Sequence, residues 1–229
     1  MKSLLLALLA VPVLVAAQMQ PKPTPFSDPS WVRTSHSMHA GGRSIKYTAT
    51  AGYMPIKSDD GKTEAQIFFV AYTADGADKK TRPVTFAFNG GPGSASLWLH
   101  MGALGPKRAK LKDDGSMPAL PFEFVDNDET WLRATDVVMI DAPGTGYSRV
   151  TDPNNKRFFG VRGDIQAFTE ICRMYLTTEN RWSSPVYIAG ESYGGIRGAG
   201  LTYALHDAGM PIAGFINISG VLDYICLDS

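Results

Sequence analysis

The sequence predicts an α/β fold, with a mixed, mostly parallel sheet that opens on an antiparallel hairpin. Three observations predict it. Short apolar runs bounded by Gly and Pro recur along the chain, helical stretches separate them, and an early turn cluster joins two strand-like segments.

The elements follow in chain order. Ile45 to Ala51 alternates loosely, Ala65 to Tyr72 is apolar and aromatic, and Ser58-Asp59-Asp60-Gly61-Lys62 lies between them. That arrangement reads as a hairpin. Val84 to Phe88, Val137 to Ile140, Val186 to Ala189 and Phe215 to Ile218 are short apolar runs of the kind buried on both faces of a sheet. Arg162 to Thr178 sets Ile165, Phe168, Ile171, Cys172, Tyr175 and Leu176 on one apolar stripe, which predicts a helix. Gly195 to His206 predicts a second helix of smaller residues.

The N-terminus reads as an address. Lys2, the apolar run Leu4 to Val15 and the small residues Val15-Ala16-Ala17 fit a signal peptide over residues 1–17, with a mature chain from Gln18. The run falls short of the roughly 20 residues of a membrane span, so export without stable membrane association is expected, to the periplasm or outside the cell. Residues 18–40 read as an extended leader rich in Pro (Pro21, Pro23, Pro25, Pro29), and 41–229 as the folded domain.

Lys plus Arg and Asp plus Glu both number 22, so no nucleic-acid partner is expected. The two cysteines, Cys172 and Cys226, exclude a disulfide scaffold and leave a single bridge or two buried thiols open. His36 and His39 lack partner ligands, and no metal or organic cofactor is expected.

The chemistry is carried by Gly190-Glu191-Ser192-Tyr193-Gly194, which follows an apolar strand and opens a helix. In that context G-x-S-x-G is a nucleophile elbow of an α/β-hydrolase fold, and Ser192 is the candidate nucleophile. Asn89-Gly90-Gly91-Pro92-Gly93 directly follows the strand Val84 to Phe88. Its bare backbone N–H groups suit an oxyanion hole, with Gly91 and Tyr193 as donors. Asp141 and the glycines after it suit a loop ordered at a strand's carboxyl end, and Ser148 lacks the elbow context of a nucleophile.

Three blocks, Asn-Gly-Gly-Pro-Gly-Ser at 89–94, Asp-Ala-Pro-Gly-Thr-Gly-Tyr-Ser at 141–148 and Gly-Glu-Ser-Tyr-Gly-Gly at 190–195, resemble the signature blocks of serine carboxypeptidases, in that family's order. The resemblance implies that Ser192 is acylated, that Gly91 and Tyr193 bind the oxyanion, and that Asn89 and Glu191 bind the free C-terminal carboxylate of a peptide substrate. Two carboxyl groups at one place raise a pKa, so activity favoured at acidic pH is expected.

There are departures from the family. Ser94 stands where the family usually has Cys, and after Ser192 the only histidine is His206. The triad's Asp and His should follow the nucleophile. The chain is therefore expected to stop before the last strands, the lid and the rest of the triad, to leave a sheet edge open, and to be nearly inactive alone. His100 is a remote candidate for the base. An acyltransferase or esterase on the same scaffold, or an inactive peptide-binding remnant, are the alternatives. Asn217-Ile218-Ser219 matches a glycosylation pattern but reads as part of a core strand.

Overall fold

The computed structural model describes residues 31–223. The segment read as a signal peptide, most of the segment read as a leader, and Cys226 lie outside the described residues. In chain order the strands are β1 (Val32–Ala40), β2 (Arg43–Lys57), β3 (Thr63–Ala74) and β4 (Val84–Phe88). A helical turn α1 (Leu97–Leu99) and a small hairpin of β5 (Lys107–Ala109) and β6 (Phe124–Asp126) follow. Then come β7 (Asp136–Ile140), β8 (Arg149–Val150), α2 (Val161–Thr178), β9 (Val186–Glu191), α3 (Gly194–Asp207) and β10 (Gly214–Ile218).

The main sheet runs β1-β2-β3-β7-β4-β9-β10, with β8 pairing β3. β7, β4, β9 and β10 are mutually parallel, and the β1 to β3 meander joins them antiparallel through β3 and β7. This is the mixed sheet of an α/β-hydrolase. The expected hairpin is present as β2 and β3.

The end of the leader departs from expectation. Residues 32–40 form β1, a full strand paired with β2 from Val32↔Ala51 to Ala40↔Arg43. Gly41 and Gly42, at φ 55° and 71°, supply the positive-φ pair of a two-residue hairpin. The strand escaped a pattern-based reading because only Met38 and Ala40 are buried in it. Its pairing comes from the backbone, which no Pro interrupts after Pro29.

The sheet's two faces carry separate cores. On one, Phe86, Phe88, Val138, Ile140 and Ile188 pack with Phe168, Ile171, Cys172 and Tyr175 of α2 and Leu201 and Leu205 of α3. On the other, Ala87, Val137, Met139 and Ala189 pack with Leu99 and Leu104. Cys172 is a buried free thiol whose pKa burial pushes up. β10 is less buried than its apolar run suggests, with Ile216 37% exposed, because among the described residues it has a neighbour on one side only. Asn217 is accordingly exposed, not a core residue.

At the amino ends of the parallel strands, Asp136 accepts from Arg82 Nε at 2.6 Å, from the Ala74 N–H at 3.0 Å and from Arg181. Arg181 is 1% exposed and also donates to the Arg82 carbonyl and Ser184 Oγ. This network closes one end of the sheet. The other end carries the candidate site.

Candidate active site

The carboxyl ends of β4 and β9 lie side by side, with Phe88 opposite Gly190. Each motif leaves the sheet there, which brings chain segments about a hundred residues apart to one place.

Ser192 opens the two-residue corner, Ser192-Tyr193, between β9 and α3 and has φ 57°, a conformation a non-Gly residue adopts only when its surroundings impose it. A Cβ on Gly190 would lie 2.0 Å from the Gly194 carbonyl oxygen, so the turn admits only glycine at its first position. Ser192 N–H donates to the Ile218 carbonyl at 3.1 Å, and its own carbonyl accepts from Gly195 N–H at 2.8 Å. Ser192 is partly exposed, with α3 starting just behind it.

The loop after β4 presses against this corner. A Cβ on Gly90 would stand 2.4 Å from the Tyr193 nitrogen and 2.5 Å from the Glu191 carbonyl oxygen. Glycine at 90 is thus what permits the close approach. Gly91 follows, exposed and at φ 104°. Asn89 is 3% exposed and held at three atoms: its N–H donates to Ser96 Oγ at 3.4 Å, its Oδ1 accepts from Leu99 N–H at 2.9 Å, and its Nδ2 donates to Glu191 Oε2 at 2.9 Å. Glu191 Oε2 also accepts from Gly90 N–H at 3.4 Å.

The third block braces the first. Asp141 accepts from Ser96 N–H at 2.9 Å through Oδ1 and from Tyr147 N–H at 3.1 Å through Oδ2. Gly146, at φ 49°, leaves room for that carboxylate, which its Cβ would meet at 2.0 Å. Ser148 is fully buried and donates to the Asp141 carbonyl, a structural role.

The histidines lie elsewhere. His100 is bonded to the Tyr72 hydroxyl at 2.6 Å, and burial lowers its pKa from 6.5 to about 4. Tyr72 is paired with Val137, near the amino end of β7 and away from the elbow. His36 and His39 sit on β1, at the far edge of the sheet from β9. His206 is exposed in the last turn of α3, at the opposite end of that helix from the elbow.

Two residues escaped the sequence reading. Arg197 and Asp164 form a buried ion pair below the elbow, Arg197 Nε donating to Asp164 Oδ2 at 2.8 Å. A usable signal was present, since Arg197 is a lone charge in the small-residue stretch Gly194-Gly195-Ile196-Arg197-Gly198-Ala199-Gly200. An arginine among glycines needs a specific partner.

The chain is similar to several carboxypeptidases. It is 31% identical over 154 residues to a pheromone-processing carboxypeptidase of Neurospora crassa, covering 63% of this chain and 20% of that one. It is 25% identical over 171 residues to serine carboxypeptidase-like 13 of Arabidopsis thaliana, covering 71% of this chain and 38% of that one. The crystal structure of a prohormone-processing carboxypeptidase of Saccharomyces cerevisiae superposes with a TM-score of 0.60 at 21% identity, over 77% of this chain and 39% of the other, which bears on the fold. The chain spans less than two-fifths of the length of each of these relatives. The family model for serine carboxypeptidase matches residues 41–223, the folded part that carries the elbow, the glycine loop and the Asn89–Glu191 pair, and the chain belongs to the serine carboxypeptidase family.

Proposed function

We propose that the protein releases the C-terminal residue of peptides through an acyl-enzyme on Ser192. The observation that carries this reading is the contact of Asn89 with Glu191 beside the elbow. Asn89 Nδ2 has two protons, of which Glu191 takes one, so the other is left for a ligand oxygen.

In the reaction Ser192 Oγ bonds to the scissile carbonyl carbon while its proton passes to a base. The carbonyl oxygen becomes an anion and is held by the N–H groups of Gly91 and Tyr193. The C–N bond then breaks, the leaving amine takes the proton, and water cleaves the acyl ester in the second half. None of the four histidines is placed to serve as that base. Residues 1–229 alone should therefore turn over slowly. The signal-peptide pattern supports export, which N-terminal sequencing of a secreted product starting near Gln18 would test.

The test uses the full-length product of the gene, an N-blocked dipeptide with a free C-terminus, and its ester analogue. Release of the C-terminal amino acid, abolished in Ser192→Ala, supports the reading. Ester turnover without peptide cleavage overturns it in favour of an esterase or acyltransferase.

A further inference from the structure

One buried ion pair touches both halves of the site. Arg197, in the first turn of α3, is 1% exposed, and Asp164, in the first turn of α2, is 6% exposed. Arg197 Nε donates to Asp164 Oδ2 at 2.8 Å, and its Nη1 donates to the Asn89 carbonyl at 2.8 Å. The Tyr193 hydroxyl also donates to Asp164. The guanidinium lies 4.6 Å from the Phe168 ring centre and 5.2 Å from those of Phe88 and Tyr193. Burial raises the Asp164 pKa, opposed by the Arg197 charge and the hydrogen bonds from Arg197 and Tyr193.

A buried pair of this kind adds little net stability, because desolvation offsets most of the attraction, and apolar side chains could fill the same space. What apolar residues could not do is hold two segments at fixed atoms. The pair holds Asn89, which opens the glycine loop, and Tyr193, which follows Ser192. We propose that Arg197, anchored by Asp164, is a positioning residue that sets Asn89 and Tyr193 relative to each other, and so tunes recognition of a substrate carboxylate. This rests on the carboxypeptidase reading above. The role needs a planar guanidinium, since it sends two N–H bonds in fixed directions, to Asp164 and to the Asn89 carbonyl. A lysine offers a point charge and satisfies one partner at a time.

The test is the affinity of N-acetyl-Ala-Phe relative to its C-terminal amide, measured by calorimetry on the full-length protein at mildly acidic pH. The wild type should favour the acid roughly tenfold, the scale of one hydrogen bond to a charged group. In Arg197→Lys that preference should fall to about twofold or less, and in Tyr193→Phe, which removes only the hydroxyl, by about threefold. Arg181→Lys, at the opposite end of the sheet, supplies the comparison: it should lower the melting temperature and leave the preference unchanged. Loss of preference in Arg197→Lys with a retained near-UV spectrum supports the proposal, and if that variant does not fold, loss in Tyr193→Phe does. A wild-type preference kept in both folded variants, or kept in Tyr193→Phe when Arg197→Lys does not fold, overturns the positioning role and leaves the carboxypeptidase reading standing. A wild type that does not tell acid from amide overturns both.

Discussion

Asn89 Nδ2 and Glu191 Oε2 are 2.9 Å apart although 102 residues of chain separate them. The sheet brings them together: β4 and β9 are parallel neighbours, and each of these residues stands at its strand's carboxyl end. Ligands in open α/β sheets bind at those ends, between loops of adjacent strands.

The pair's role in recognition gives a kinetic expectation. Asn89→Ala should raise KM for a peptide acid about tenfold, since it removes one charge-assisted donor, with kcat changed less. Steady-state kinetics on the acid and on an ester without a free carboxylate check it. Equal loss on both substrates would mean that Asn89 acts only through the loop's shape.

Glycine at 90 is required by distance. Gly90→Ala places a Cβ 2.4 Å from the Tyr193 nitrogen, so the loop must move away from the elbow. Displacing a donor from the oxyanion costs about 10²–10³ in turnover, and kcat should fall on that scale. Acylation by a fluorophosphonate, read by mass spectrometry, follows the same loss without a peptide substrate.

The buried His100 makes the fold sensitive to acid. Its pKa falls from 6.5 to about 4 in the folded chain, so below pH 6.5 the unfolded chain gains a proton that the folded chain refuses. Stability is at its full value above that point and declines as pH falls toward about 4. Between roughly pH 7 and pH 5 the loss should be about 2 kcal/mol, measurable by urea unfolding. His100→Gln should flatten this limb. An unchanged slope would place the acid sensitivity elsewhere.

The Asp136 network predicts a large stability effect remote from the site. Arg181→Ala leaves a carboxylate that is 2% exposed with one arginine, Arg82, in place of two. Removing one partner of a buried ion pair costs about 3–5 kcal/mol, and the surviving Arg82 contact places the loss near the lower end. Thermal unfolding of the variant checks it, with peptide preference unchanged in the folded protein.

Much of the fold was legible because its signals are local. The apolar runs at β4, β7 and β9, the stripe of α2 and the glycines of the elbow each declare themselves within a few residues. β1 did not, since Val32 to Ser37 are all exposed and the strand is held by backbone pairing. β10 was placed correctly, but its burial depends on which strands flank it. The Asn89–Glu191 contact came from family resemblance rather than periodicity. Arg197 was missed because its partners, Asp164 and the Asn89 carbonyl, lie 33 and 108 residues away.

The strand order also bears on how the chain is made. Both neighbours of β4, which are β7 and β9, lie later in the sequence. With ribosomes adding about 5–20 residues per second, Val84 to Phe88 leave the exit tunnel several seconds before β9 exists to cover their second edge. During that interval five residues that end fully buried have only β7 to pair with, once it arrives. The glycine loop has no elbow to close against until Glu191 and Ser192 emerge. The nascent chain therefore carries an apolar strand, unpaired until β7 and half-paired until β9, and a factor that shields such strands should act between the emergence of β4 and that of β9.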